Sequence, residues 1–272
     1  MDMLLKPEVP AGHGTVIAVL PCKGGAGATF IATNLAHAVA AEGKRVCMMD
    51  LNLHFGEASL YVSEATPPAT IADLASELPR LDGALLESSM LKISPNCWLL
   101  AAPDSPERAV DIRADSIERI LEVARANFDV VVLDVSRALD APSIKALDCA
   151  DQIYLVMQAG LPYIRDGKRL LKLFRALAYP ESRVQLLINR YEKSGDISLR
   201  DLEGALGVKV AKTLPNSFNT VAVAINQGMP ILDLAPRDPV SRALREMAQE
   251  PACTKTDDAG WLQRFKPLSY VT

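Results

Sequence analysis

The sequence predicts an α/β fold, a doubly wound and mostly parallel sheet with helices on both faces. Three observations lead there. Short β-branched runs alternate with longer helical stretches, the pattern of parallel strands joined by crossover helices. Several runs are apolar almost throughout, as strands buried on both faces must be. The first run passes through a glycine-rich turn, "PCKGGAGATF" at residues 21–30, directly into a helical pattern.

The elements follow in order. "TVIAVLP" (15–21) is the first strand, and the helix beginning in "ATFIATNLAHAVAAEG" stops at Gly43, the residue type that ends helices most easily. Further strands are expected at "RVCMMD" (45–50), "CWLLAA" (97–102), "DVVVLDV" (129–135), "QIYLVMQ" (152–158), "RVQLLIN" (183–189) and "VKVAKTLP" (208–215). "YIRDGKRLLKLFRAL" (163–177) reads as a helix with Leu170, Leu173, Phe174 and Leu177 available to a core. In "ISLRDLEGALG", Ser198 is an N-cap, Asp201 stands three residues on, and Gly207 is the stop. "NSFNTVAVAINQGMP" begins a helix at Asn216 or Ser217 and ends it at Gly228, before Pro230.

The 272 residues are 49% hydrophobic and 23% charged, enough for one large α/β domain or two small ones. A formal net charge of -4 argues against a molecule built as a whole to bind polyanions. Cys22, Cys47, Cys97, Cys149 and Cys253 are scattered with no metal-binding spacing, so buried thiols in a reducing compartment are expected. His13, His37 and His54 stand near no nucleophile pattern. No run approaches the ~20 apolar residues of a spanning helix, and the N-terminus lacks a signal pattern. A cytoplasmic protein is expected.

Strand, glycine turn and helix N-terminus together make an anion site, because main-chain N–H groups and the helix dipole point at the ligand. Thr29 would supply a hydroxyl to Mg²⁺. Asp50 and Asp134 close two strands at the end where open α/β sheets bind ligands, near that metal. The position before Thr29, where such loops keep a lysine, is Ala28.

"KGGAGAT" resembles the deviant phosphate loop of the ParA/MinD family of ATPases, whose signature lysine ahead of the glycines is matched by Lys23. "DLNLHFGEASLYV", "LLAAPDSPERA", "FDVVVLDVS" and "LPNSFNTVAVAINQGMPILDLAPRDPVSRALREMA" resemble its TadZ/CpaE branch, ATPase-like proteins of tight-adherence pilus assembly, over about residues 15–250. The resemblance implies ATP and Mg²⁺ as cofactors. It implies a nucleotide cradle of Gly24, Gly25, Ala26, Gly27, Ala28, Thr29 and Phe30, with Asn189, Arg190 and Pro215 beside the adenine. It implies Thr29, Asp50 and Asp134 around the metal, and Lys23 reaching across a homodimer to the partner's nucleotide. The expected organisation is a leader (1–14), a nucleotide-binding domain (15–250), and a polar linker with a short tail (251–272). A receiver-like domain, common in that branch ahead of the ATPase domain, is not expected within these residues.

Two departures bear on mechanism. Ala28 replaces the loop lysine, and Asn52 stands where relatives carry the aspartate thought to position the attacking water. An ammonium about 4 Å from a phosphate oxygen is worth at most about 4 kcal/mol at an effective dielectric of ~20. Phosphoryl transfer depends on charge neutralisation and positioning, so hydrolysis is expected to be weak or absent, with Lys23 and the degenerate Asn52 as the catalytic remnants. The expected function is an ATP-dependent dimerising localisation factor for a tight-adherence pilus or secretion apparatus, at the pole or inner membrane face. The alternative is an active ParA/MinD-type ATPase that positions cargo by a hydrolysis cycle.

Two further surfaces carry expectations of their own. Arg165, Lys168, Arg169, Lys172 and Arg175 line one side of a helix, where a solvated face outweighs DNA binding. The tail carries Trp261, Leu262, Phe265 and Leu268, but Pro267 breaks any helix there. Packing on the domain or a partner therefore outweighs membrane contact.

Overall fold

The computed structural model describes residues 14–250. Eight strands form one sheet: β1 (Thr15–Pro21), β2 (Val46–Leu51), β3 (Leu91–Ser94), β4 (Cys97–Leu100), β5 (Val130–Val135), β6 (Gln152–Met157), β7 (Val184–Tyr191) and β8 (Val210–Pro215). Their order is β3-β4-β2-β5-β1-β6-β7-β8. All neighbours run parallel except β3 and β4, which pair antiparallel with Leu91 opposite Leu99.

Among the described residues, eight α-helices lie between the strands and three follow β8. They are α1 (Ala28–Ala41), α2 (Ile71–Ser76), α3 (Gly83–Ser89), α4 (Pro106–Ala109), α5 (Ala114–Asn127), α6 (Ala141–Cys149), α7 (Leu161–Ala176), α8 (Leu199–Leu206), α9 (Phe218–Asn226), α10 (Ile231–Leu234) and α11 (Pro239–Gln249). The sheet is covered on both sides, as its apolar strands require. In β1, Val16, Ala18 and Leu20 enter the core shared with α5, α6, α7 and α8, while Ile17 and Val19 enter the one shared with α1, α10 and α11. Alternation of side chains at period two divides one strand between two cores.

The doubly wound sheet is as expected, and particular ends differ. β2 spans 46–51 rather than 45–50, β4 stops at Leu100 rather than Ala102, and β7 runs on to Tyr191. β8 begins at Val210, two residues later than expected. β3 was not anticipated: it is four residues long, only Leu91 is buried, and it carries Lys92, so it lacks the doubly buried pattern that marks the others. On α7 the buried residues include Leu171 and Phe174, while Leu170, Leu173 and Leu177 are half-buried. Full burial of a leucine contributes roughly 1.5–3 kcal/mol, so Leu171 contributes more than its expected neighbours.

Helix ends follow their local chemistry. The Ser198 hydroxyl accepts from Asp201 N at 3.2 Å, Asp201 accepts back from Ser198, and Gly207 closes α8 at φ 71. Ser217, not Asn216, precedes α9. The leader up to His13, Cys253 and the apolar residues of the tail lie outside the described residues.

Candidate functional site

The C-terminal ends of β1, β5, β7 and β8 open onto one cavity of about 400 Å³. Its position follows from the topology: the crossover from β1 leads past β5 to β2, whereas the crossover from β5 leads past β1 to β6, so neighbouring strands send their connections in opposite directions and a crevice opens between them.

At the floor, the chain leaves β1 at Pro21 and turns through the glycines into α1. Gly25 (φ 80) and Gly27 (φ 90) hold left-handed backbone that side chains disfavour. Gly27 is the N-cap of α1 and brings no side chain to the first-turn amides, which have no acceptor within the helix. Gly24, Gly25, Ala26, Gly27, Ala28, Thr29 and Phe30 all line the cavity. The loop is braced from outside. Gln158 Nε2 donates to Gly25 O at 2.8 Å and Asn189 Nδ2 to Ala26 O at 2.8 Å. Arg190 N fixes Asn189 by donating to its Oδ1 at 2.9 Å. A Cβ on Gly27 would collide with the Asn189 amide.

Asp50 and Asp134 are directly opposed on β2 and β5, and only 1% and 3% of each is exposed. Asp50 accepts from Asn52 N at 3.1 Å and Ala58 N at 2.9 Å, and the Thr29 side chain hydrogen-bonds Asp134. Burial pushes the Asp50 carboxyl up to about 6 despite those two amides, with the Glu57 charge adding to the rise. Asp134 is raised well above the usual carboxylate range by burial and then by the Asp50 charge. Two buried carboxylates of like charge cannot both ionise cheaply without a cation beside them. With the Thr29 hydroxyl they make a hard oxygen donor set that fits a Mg²⁺ ion.

The two departures are visible in place. Ala28, the first residue of α1, turns only a methyl group toward the cavity wall and is 4% exposed. Asn52 also lines the cavity, with its Nδ2 committed to Phe55 O at 2.9 Å; an amide has no basicity to activate a water. Lys23 is half-buried at the start of the loop and does not belong to the cavity wall. At the far end, Pro215 closes β8 and Arg190 (φ 51) holds its guanidinium 5.5 Å from the centre of the exposed Phe218 ring.

Sequence reasoning missed Phe218, Tyr61 and Arg137, all of which line the cavity. Phe218 follows "LPNS" closely enough to have been found beside Pro215. Arg137 is brought in by its pairing with Asp166 on α7, which no local pattern announces. The cationic side chains Arg165, Lys168, Arg169, Lys172 and Arg175 are exposed on α7. Arg165 and Arg169 approach Asp166 at 3.6 and 3.5 Å, and Arg175 approaches Glu181 at 3.4 Å, which reduces the free charge of that face.

Cys22, Cys47 and Cys97 are buried and Cys149 is half-buried. Burial pushes the Cys22 and Cys97 thiols up to about 12 and Cys149 to about 11, which keeps them protonated and unreactive. No helix among the described residues is long and apolar enough to cross a membrane.

Comparison with known proteins agrees with this geometry. A family model described as an AAA domain matches residues 14–185. The septum site-determining protein MinD of Thermotoga maritima is 26% identical over 224 residues, covering 80% of this chain and 81% of that protein. A putative MinD of Tupiella akineta is 28% identical over 223 residues, covering 80% and 71%. A crystal structure of a ParA family ATPase from Chlorobium tepidum superposes with a TM-score of 0.84 at 26% identity, covering 87% of this chain and 99% of that one. MinD of Pyrococcus horikoshii, complexed with Mg-ADP, superposes at 0.74 with 18% identity, covering 86% and 94%.

Proposed function

The chain belongs to the AAA-domain family of ParA/MinD-type P-loop ATPases, and from that premise we propose that it binds ATP to form a dimer and hydrolyses it weakly or not at all. One observation carries the reading. The backbone cradle is intact, yet Ala28 presents a methyl group where a loop of this kind keeps its lysine. Binding rests mainly on main-chain donors and the helix dipole, which survive. Turnover rests on neutralising and positioning charge, which the Ala28 and Asn52 substitutions weaken.

Thr29, Asp50 and Asp134 would hold Mg²⁺, which when bound supplies positive charge to the phosphates. The Mg-ADP complex of the Pyrococcus horikoshii relative supports this pairing of cofactors. Gly24 to Phe30 hold the phosphates, and Asn189, Arg190 and Pro215 flank the base. Lys23, outside the cavity of its own chain, contributes its charge to the nucleotide of a second copy, so nucleotide binding and dimerisation are thermodynamically linked. By the resemblance of its C-terminal segment, the dimer serves a cytoplasmic positioning role in tight-adherence pilus or secretion assembly, at the pole or inner membrane face.

The test measures ATP affinity by calorimetry with Mg²⁺ and phosphate release by the same preparation. Binding with turnover far below 1 s⁻¹ is expected. Turnover above about 1 s⁻¹, an ordinary enzymatic rate, would favour the alternative of a cycling ATPase that positions cargo. Absence of binding at millimolar ATP would overturn the reading entirely.

A further inference from the structure

Besides the glycine loop, the phosphate end of the cavity is walled by the segment that leaves β5, Asp134 to Arg137. Arg137 Nη2 pairs with Asp166 Oδ2 at 3.2 Å, and its side chain is 52% exposed while that of Asp166 is 6% exposed. The other oxygen of Asp166 is buried without a hydrogen bond. Arg165 Nε and Arg169 Nη1 stand 3.6 and 3.5 Å from it, close enough for attraction but too long or misaligned to donate well. One buried carboxylate therefore serves three guanidinium groups, and the cluster carries surplus positive charge beside a cavity whose loop wall, Gly24 to Phe30, carries no cation.

We propose that Arg137 is this chain's own substitute for the missing loop lysine. Its resting partner is Asp166, and it turns to the terminal phosphate of a bound nucleoside triphosphate. The inference rests on the nucleotide-binding reading above and adds to it a selectivity for triphosphate over diphosphate. The energetics allow the exchange. Removing the sole partner of a buried carboxylate is costly, but Asp166 keeps Arg165 and Arg169 when Arg137 leaves. The pair that breaks is half-exposed on its arginine side, where water can solvate the departing guanidinium. A guanidinium offers two parallel donors to a phosphate, a geometry that an exchange of partners favours. Because Arg137 lies three residues after Asp134, one short segment would deliver both a metal-holding carboxylate and the cation.

The test compares MgATP and MgADP affinities by calorimetry for the wild type, Arg137→Gln and Arg137→Lys. Loss of a charge-assisted hydrogen bond predicts that Arg137→Gln weakens ATP roughly 10- to 100-fold and ADP by less than about threefold. Arg137→Lys, which keeps the charge without the fork, is expected to fall between, and it carries the test if the glutamine variant folds poorly. Equal losses for both nucleotides, or no loss, overturn the role of Arg137 while leaving the nucleotide reading intact. A wild type that binds neither nucleotide overturns that reading and this inference with it.

Discussion

Gly27 concentrates three demands in one residue. It must hold φ at 90, stand as the N-cap of α1 without putting a side chain on the first-turn amides, and leave room for the Asn189 amide that braces Ala26. Alanine fails the first and the third, since left-handed backbone costs a side chain about 1–2 kcal/mol before any clash. Gly27→Ala is therefore expected to lower stability by roughly 1–3 kcal/mol and to weaken ATP binding at least tenfold. Denaturant unfolding and calorimetry on one preparation read both effects. Unchanged affinity would show that the loop cradle is not where the phosphates sit. Gly43 makes the milder case: its φ is 88, but nothing lies near the position a Cβ would take, so it answers to backbone alone.

At the scale of elements, β2 and β5 place Asp50 and Asp134 side by side at their shared ends. The Asp50 carboxyl rises from 3.8 to about 6 on folding. An acid with a raised folded pKa holds more protons in the native state between those values, so stability falls as pH rises through the window and levels off above it. The loss approaches roughly 3 kcal/mol at neutral pH. Asp134→Asn removes the second raised carboxyl, which burial and the Asp50 charge hold protonated in the folded state. It is expected to flatten the fall in melting temperature between about pH 4.5 and 7, raise stability at pH 7, and abolish stabilisation by Mg²⁺ with ATP. A variant as pH-sensitive as the wild type would count against the paired-carboxylate account.

The same elements explain what was legible in sequence. β1, β2, β5 and β6 are buried on both faces, and their apolar runs could be read directly. The carboxylates and glycines of the site stand at the ends of those runs, so they were legible too. β3 was not, because an edge strand faces solvent and need not be apolar. Leu171 was displaced from expectation by one position, since a helical stripe fixes a face but not which residue sits deepest. Arg137 and its partner Asp166 are set 29 residues apart in sequence by β6 and the turn into α7, a juxtaposition that only the tertiary fold creates.

For the whole molecule, the proposed dimer makes Lys23 a residue whose effect is felt by another copy. Lys23→Ala is expected to leave ATP binding by the isolated chain within about threefold and to weaken ATP-induced dimerisation at least tenfold. Sedimentation across a concentration series, with and without MgATP, separates the two. An unaltered dimer would assign Lys23 to solvent.

The cavity reaches from Asp134 on β5 to Pro215 on β8, and the order β5-β1-β6-β7-β8 sets four strand spacings between them. At about 4.8 Å per spacing, the sheet serves as a ruler roughly 19 Å long, graduated by its own hydrogen-bonded rungs. A lone phosphate touches one end of that scale, whereas an extended nucleoside triphosphate can span it. Whatever fills the full length clamps both wings of the sheet at once.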